Sequence, residues 1–115
     1  MVVDVDPVGV LRAHVGRFND AVRSGDFAEM VAGFASEAEM VFEGVPVGPF
    51  VGRDVIADAY ARQPPTDEVC LLGVPQVDGE DVVSDYAWAA DGRRAGRMIV
   101  TARDGLIARL VVTFE

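Results

Sequence analysis

The one histidine of the chain is a candidate for proton transfer. His14 lies at the edge of an apolar helical stripe, one turn before Phe18, so its imidazole could reach a pocket and act as an acid–base group. The alternative is a histidine on the flank of the helix, at the boundary with solvent. Because it has no cysteine or histidine companion, a metal site is not predicted.

A carboxylate near the middle of the chain is a second candidate. Glu43 closes an apolar segment that includes Phe42, and a carboxyl group among aromatic rings acquires the raised pKa of a general base. The alternative is an exposed carboxylate at a strand end, followed by the glycine- and proline-rich loop 44–49.

Two aromatic residues are candidates for ligand binding. Tyr86 and Trp88 could hold a flat apolar molecule, with the phenol O–H or the indole N–H as the polar contact. Ordinary core packing explains them equally well. Cys70, the single cysteine, is expected to be a small buried hydrophobic side chain and cannot form a disulfide within the chain.

Three predicted helices must position these groups. Asp6 and Pro7 are typical of a helix start, and Gly25 can adopt the left-handed conformation that ends the helix. A second helix is predicted to begin at Asp26 and a third to span about 53–62. The apolar stripe of the first helix is Val8, Leu11, Val15, Phe18 and Val22. The predicted buried faces of the other two are Phe27, Met30, Val31 and Phe34, then Val55, Ile56, Ala59 and Tyr60.

Strands make up the rest of the chain. One strand is predicted at about 39–43, before the loop 44–49. Asp-Gly pairs then recur between apolar runs, at 78–79, 91–92 and 104–105, and each predicts a hairpin. They define a four-stranded antiparallel meander over about 67–77, 81–89, 93–102 and 106–115.

The hairpin loops determine which residues share a face. A three-residue loop at 90–92 places Asp85 opposite Arg97 and segregates polar from apolar residues, so it is preferred. A two-residue loop would place Arg97 opposite Tyr86 instead. With the same three-residue loop at 103–105, the inner face comprises Val82, Ser84, Tyr86, Trp88, Gly96, Met98, Val100, Ala102, Leu106, Ala108, Leu110, Val112 and Phe114.

Composition narrows the class of protein. The 115 residues predict one domain, 1–115, and no apolar run reaches the length of a membrane span. A net charge of −9 disfavours nucleic acid and anionic membranes as partners. The N-terminus lacks the basic start of a secretory signal, so a cytoplasmic protein is expected. All ten cations are arginine, which suggests a GC-rich bacterial genome.

The order of elements predicts an α+β fold. Three N-terminal helices should pack in the concave face of a strongly curved, mainly antiparallel sheet that forms a cone-shaped barrel. The segments 17–26, 34–38 and 52–60 resemble the two-helix opening and third-helix signature of nuclear-transport-factor-2-like proteins. The resemblance covers nearly the whole chain and is closest to SnoaL-like polyketide cyclases and ketosteroid isomerases. It implies the same cone fold and a homodimer, but this superfamily includes isomerases, cyclases, hydrolases and binders.

The resemblance also implies catalytic positions. Isomerase-like members use a carboxylate base, with a tyrosine and a protonated aspartic acid that stabilise the enolate oxygen. Here the tyrosine position falls at Phe18 and the acid position at Met98 or, in the other register, Thr101. The base position falls at Phe42 or Glu43. The missing oxyanion donors argue against a ketosteroid isomerase of the known kind.

Other side chains could replace those donors, and three interpretations stay open. Tyr60 matches a supporting pocket tyrosine, and His14, Ser84, Tyr86 and Trp88 could donate hydrogen bonds. The first interpretation is a cofactor-free isomerase or cyclase whose catalytic residues are Glu43, Tyr60 and His14. The others are a non-catalytic domain that binds a small hydrophobic molecule and a dimeric interaction module. The predicted ligand-binding residues are Phe18, Phe34, Phe42, Phe50, Ser84, Tyr86, Trp88, Met98, Leu110 and Phe114.

Asp85 and Arg97 form a charged pair that is predicted to lie outside the pocket. Asp85 and Arg97 resemble the Asp–Arg chemistry of epoxide hydrolases that share this fold. The preferred register places both residues outside the pocket, so a surface or dimer-interface pair is expected. No cofactor and no metal are predicted.

Overall fold

The computed structural model describes residues 6–115. Its helices are α1 (Pro7–Ser24), α2 (Ala28–Ala32) and α3 (Arg53–Arg62). Its strands are β1 (Phe34–Glu43), β2 (Phe50–Val51), β3 (Val69–Asp78), β4 (Asp81–Trp88), β5 (Arg94–Arg103) and β6 (Leu106–Thr113). In the described residues, no helix has the length and hydrophobicity that crossing a bilayer requires.

All the strands belong to one curved, unclosed sheet. The strand order is β2-β1-β6-β5-β4-β3, so the predicted meander β3–β6 is extended at its β6 side by β1 and β2. β1 runs parallel to β6, whereas the other neighbouring pairs are antiparallel. α1 packs against β3, β4 and β5, and α3 packs against β1 and β2. The predicted α+β cone with helices on the concave face is confirmed.

The first helix forms as predicted because its end signals are local. The carboxylate of Asp6 accepts a hydrogen bond of 2.6 Å from the backbone N–H of Gly9. At the other end Gly25 has φ 81°, and its N–H donates to the carbonyl of Ala21. Hydrogen bonds within its own sequence therefore define both ends of α1.

The second helix is shorter than predicted, and the first strand is longer. Phe34 was expected on the buried face of the helix, but it begins β1 and pairs with Ile107 of β6. The carbonyl of Gly33 accepts a hydrogen bond of 2.9 Å from the N–H of Ile107. Because these partners are far away in the sequence, the strand conformation of Phe34 depends on tertiary pairing and not on local periodicity. Val55, expected to face inward on α3, is 47% exposed.

The predicted register between β4 and β5 is confirmed. Asp85 pairs with Arg97, although a bulge after Tyr86 makes the connecting loop longer than three residues. The next hairpin is tighter than predicted. Its two-residue turn has positive φ at both Asp104 and Gly105, as a type I′ turn requires.

The tighter turn changes which residues of β6 face inward at its start. A register shift after Thr101 makes Ile107 a buried core residue, and leaves Leu106 and Ala108 half-buried. The predicted inner positions of Leu110 and Val112 are confirmed, because they follow the shift.

Cys70 is exposed, so its prediction as a buried side chain is wrong. The adjacent Val69 is 3% exposed and occupies the inward position on β3. Alternation along the strand therefore directs Cys70 to the outer face. There its Sγ lies 3.8 Å from the carbonyl oxygen of Ala87.

Candidate functional site

A cavity of about 180 Å³ lies between α1, α3 and the inner face of the sheet. Side chains from both helices and from five strands converge on it, so its shape depends on the whole fold. No charged side chain is among the described residues that line it. The lining residues are His14, Phe18, Phe42, Tyr60, Gln63, Pro65, Val69, Tyr86, Trp88, Met98, Leu110, Val112 and Phe114.

Most of the predicted site residues meet at this cavity. The structure brings together His14, Phe18, Phe42, Tyr60, Tyr86, Trp88, Met98, Leu110 and Phe114. It does not bring Glu43, Phe34, Phe50 or Ser84 to the lining. Sequence reasoning missed Gln63, Pro65, Val69 and Val112 as site residues. For Val112 the signal was present, because it shares its predicted face with Leu110 and Phe114.

His14 is buried in the cavity wall rather than placed at the solvent boundary, so that alternative is wrong. Its side chain is 3% exposed and its ring meets Phe34 edge-on, with centroids 5.5 Å apart. Burial, followed by the positive charge of Arg17, lowers the pKa of His14 to about 4. The imidazole is therefore neutral at pH 7. Its Nδ1 atom has no hydrogen-bond partner among the described residues.

The two tyrosines differ in how their hydroxyl groups are used. Tyr86 is fully buried, and its hydroxyl donates a hydrogen bond of 2.9 Å to the carbonyl of Thr113. Burial and the negative charge of Glu115 raise the pKa of Tyr86 to about 12. Tyr60 stacks on Phe27 at 5.2 Å, and its hydroxyl reaches only the sulfur of Met40, at 3.6 Å.

Burial also raises the pKa of Tyr60. Both phenols are therefore protonated across the physiological pH range. Tyr60 retains capacity for a stronger hydrogen bond than the one its thioether partner accepts, because a thioether sulfur is a weak acceptor.

The open choice between Phe42 and Glu43 is decided by strand alternation. Phe42 pairs with Val112 and lines the cavity, so the next residue must face away from it. Glu43 is exposed at the end of β1, where its carbonyl accepts a hydrogen bond of 2.9 Å from the N–H of Phe114. Of the two positions expected for a base, the one at the cavity is Phe42, which has no carboxylate, and the carboxylate of Glu43 is not at the cavity.

The remaining predicted residues surround the cavity without lining it. Phe50 packs edge-on against Phe42 at 6.1 Å, and Phe34 packs against His14. Ser84 is buried, and its hydroxyl donates to the carbonyl of Asp85 at 3.1 Å. These side chains support the wall, but the Ser84 hydroxyl is not available to a ligand as a donor.

The sequence was compared with the profiles of known protein families. The profile of the SnoaL-like domain matches residues 15–110, which include most of the cavity wall. The chain belongs to the SnoaL-like family. No protein among those with curated descriptions matches it.

Solved structures share the SnoaL-like fold at low sequence identity. A nuclear-transport-factor-2-like protein of unknown function from Cytophaga hutchinsonii is 15% identical, with a TM-score of 0.74, over 100% of this chain and 95% of that chain. A candidate isomerase of the SnoaL-like family from Agrobacterium tumefaciens is 18% identical, with a TM-score of 0.70, over 95% and 97%. A candidate ketosteroid isomerase from Kribbella flavida is 15% identical, with a TM-score of 0.69, over 97% and 82%. These likenesses establish the fold.

The oxyanion positions implied by the resemblance are apolar in this SnoaL-like chain. Phe18 and Met98 both line the cavity. Neither side chain can donate a hydrogen bond to a developing negative charge. His14 lies one helical turn from Phe18 and is the polar group nearest to it on that face of α1.

Charged side chains gather on the opposite face of the SnoaL-like sheet. Asp85 contacts Arg94 and Arg97, each at 3.3 Å, and Arg94 also contacts Glu115 at 3.2 Å. Hydrogen bonding from Arg94 is the first cause of the lowered pKa of Asp85. The predicted location of Asp85 and Arg97 outside the pocket is confirmed. Among residues 6–115, no group of histidine, cysteine and acidic side chains is arranged to hold a metal ion.

A wider groove of about 780 Å³ runs over the outside of α2 and α3. Phe27 and Val31 line one part of it and Ala57 another, and Tyr60 lines both this groove and the inner cavity. We take the inner cavity as the candidate site because aromatic side chains from several elements converge there around an unpartnered imidazole.

Proposed function

We propose that this SnoaL-like protein binds a small, neutral, hydrophobic molecule in the inner cavity. The observation that carries the proposal is the composition of the wall, which is aromatic and aliphatic with no charged side chain among the described lining residues. Apolar pockets of this kind gain affinity from the area that they remove from water. A charged ligand would lose its hydration there without a counter-ion, which is strongly unfavourable.

The position of Glu43 supports binding over carboxylate catalysis. A general base must come within hydrogen-bond reach of the proton that it removes. Glu43 is exposed and absent from the lining, so a mechanism that uses its carboxylate gains no support from the geometry. The non-catalytic alternative is therefore the better supported.

Cofactor-free isomerisation or cyclisation is the second candidate, and the unpartnered imidazole of His14 favours it. In this version His14 would accept the proton in place of Glu43, and the Tyr60 hydroxyl would orient the substrate. Solved structures of this fold include candidate isomerases, which also favours an isomerase. A base with a pKa of about 4 removes only relatively acidic protons.

Blocking the cavity tests the binding function. Val112→Phe adds volume to the wall, whereas Val77→Phe adds the same volume at a 55% exposed position on β3. We expect the wild type and Val77→Phe to bind toluene in calorimetric titrations, and Val112→Phe to lose most of this binding while keeping its circular dichroism spectrum. Absence of toluene binding to the wild type would contradict the proposal.

Deuterium exchange separates the catalytic candidate from simple binding. If His14 acts as a base, the protein should accelerate exchange of the relatively acidic α-proton of a small cyclic β-keto ester, and His14→Phe should abolish the acceleration. Glu43→Gln should leave it unchanged. If the wild type binds toluene but does not accelerate the exchange, the catalytic candidate is refuted and ligand binding is the remaining function.

We also propose a homodimer formed through the outer face of the sheet. Val83, Ile99, Val111 and Val41 pair in sequence across four strands and form an apolar row on that face, in which Val111 is 3% exposed and the other three are half-buried. Paired charges flank the row: Asp85 with Arg97 on one side, and Glu39 with Arg109 on the other, at 2.8 Å. Because these charges are neutralised within the chain, a second copy can approach the row despite the net charge of −9.

Sedimentation tests the dimer. The wild type should sediment as a dimer, and Ile99→Asp should convert it to a monomer because the new carboxylate would be buried in the interface. Val77→Asp, on the edge strand, is the matched control and should remain dimeric. A monomeric wild type at 100-fold the concentration of the binding assay would refute the interface.

A further inference from the structure

The volume of the inner cavity limits its ligand to one ring. An apolar protein cavity of about 150 Å³ holds a benzene molecule. The cavity here, at about 180 Å³, has room for a single ring and a short substituent. A fused multi-ring molecule would have to displace side chains of the wall or extend out of the cavity toward solvent.

The wall of the cavity offers few polar contacts. The hydroxyl of Tyr86 is already engaged by the carbonyl of Thr113, which Tyr86 cannot leave without an unpaired buried group. Gln63 follows the end of α3 and is an exposed residue of the lining. Two further donors of the wall are the Tyr60 hydroxyl, which contacts only the sulfur of Met40, and the indole N–H of Trp88. The imidazole of His14, which is 3% exposed, is the side chain of the wall that offers a bare nitrogen as an acceptor.

An unpartnered buried imidazole is costly, and a ligand can remove that cost. A neutral imidazole carries one N–H donor and one bare nitrogen acceptor. Nδ1 lacks a partner, and the ring is held by its edge-on contact with Phe34. Because Nδ1 is itself closed off, the ring nitrogen left to a ligand in the cavity is Nε2, to which the described residues make no hydrogen bond.

We infer that the ligand is a neutral, single-ring molecule with one hydroxyl group, which donates a hydrogen bond to the imidazole of His14 while the ring packs against Trp88 and Phe18. This inference rests on the binding function proposed above, and it adds the chemical class of the ligand. Phenol is the simplest molecule of the class, and toluene has the same shape without the donor.

The test compares phenol with toluene at pH 7 by isothermal titration calorimetry. The wild type should bind phenol about two- to tenfold more tightly than toluene, the range expected for one hydrogen bond. In His14→Phe the preference for phenol over toluene should disappear. Benzoate and 1-naphthol, a charged ring and a fused two-ring molecule, should bind more weakly than phenol.

The outcomes distinguish this inference from the binding function beneath it. If neither phenol nor toluene binds the wild type, the cavity is not a ligand site and both proposals fail. If both bind equally, or if His14→Phe keeps the preference for phenol, the hydroxyl contact is refuted and the binding function stands. Tighter binding of 1-naphthol than of phenol refutes the one-ring limit.

A measurement on the wild type guards against a variant that does not fold. The chain has one histidine, so its imidazole ¹⁵N resonances are assigned without ambiguity. Saturating phenol should shift them, whereas toluene should leave the hydrogen-bonding pattern of the ring unchanged. Identical responses to the two molecules would overturn the inference.

Discussion

The hydroxyl of Tyr86 on β4 bonds the carbonyl oxygen of Thr113 at the end of β6, across the intervening strand β5. Gly96 of β5 pairs with Tyr86 and makes this contact possible. A Cβ atom at Gly96 would lie 1.9 Å from the same carbonyl oxygen. The absence of a side chain at one position of β5 thus lets the two neighbouring strands interact behind the cavity wall.

Removing the hydroxyl of Tyr86 should lower the free energy of unfolding while the ring stays in the cavity wall. Tyr86→Phe leaves the carbonyl of the half-buried Thr113 without this donor, and we expect a loss of about 1–2 kcal/mol in the free energy of unfolding. Tyr60→Phe is the matched control, because its hydroxyl contacts only the sulfur of Met40. Urea unfolding measures both variants. A smaller loss in Tyr86→Phe than in Tyr60→Phe would contradict the role of this bond.

Adding a methyl group at Gly96 should be more damaging than adding one elsewhere. Gly96→Ala forces the backbone of β5 away from Thr113, and we expect a loss of at least about 1–3 kcal/mol. Gly16→Ala adds the same group to α1 where no atom lies within 4 Å. That change should stabilise the protein by about 0.5–1 kcal/mol, because alanine favours helix. Thermal melts would show opposite shifts for the two variants.

An asparagine fixes the edge strand to the first helix. The side-chain amide of Asn19 donates to the carbonyl of Val69 and accepts from its N–H, both at 2.8 Å. Asn19→Ala removes both bonds next to the cavity, and we expect a loss of about 1–3 kcal/mol by urea unfolding. Arg12→Ala, at an exposed position of α1, should change stability by less than about 0.5 kcal/mol. Equal effects of the two substitutions would show that this contact is dispensable.

The buried imidazole should make stability depend on pH. The folded-state pKa of His14, about 4, lies below its usual value of 6.5, so the unfolded chain binds more protons between these values. Stability from this residue is present above pH 6.5 and is lost as the pH falls toward 4. The shift corresponds to about 3 kcal/mol.

Unfolding free energies at pH 7 and pH 4.5 measure this dependence. His14→Phe retains a ring against Phe34 and removes the titrating group, so its stability should fall less than that of the wild type over the same interval. Parallel pH profiles would mean that His14 titrates normally.

Arg94 and Arg97 should affect the pKa of Asp85 to different extents. Hydrogen bonding from Arg94 lowers the pKa of Asp85 more than that from Arg97. By ¹³C NMR titration, Arg94→Gln should raise the pKa of Asp85 further than Arg97→Gln does. Because the group is exposed, added salt should reduce the difference between the wild type and both variants. A larger effect of Arg97→Gln would contradict this order.

Features encoded locally could be predicted from the sequence. The ends of α1 follow from Asp6 and Gly25, and the pairing of Asp85 with Arg97 follows from the segregation of polar and apolar residues along two neighbouring strands. The shared face of Tyr86 and Trp88 follows from the same alternation, and Phe18 meets it through the apolar stripe of α1.

Features that depend on distant backbone pairing could not be predicted. Local periodicity assigned Phe34 to a helix, whereas its pairing with Ile107 places it in a strand. Gln63 and Pro65 line the cavity from the irregular segment between α3 and β3, where no hydrophobic periodicity predicts which side chains face inward. The exposed position of Glu43 was one of two alternatives, and the pairing of Phe42 with Val112 decides it.

The parallel pairing of β1 with β6 bears on how the chain is made. β1 leaves the ribosome early, yet its long neighbour in the sheet is the last strand to be synthesised. An unpaired strand with apolar residues such as Met40 and Phe42 is a hazard for aggregation while it waits. Nascent chains arrested before residue 106 should therefore be cleaved by protease within 34–43, and released chains that include β6 should resist.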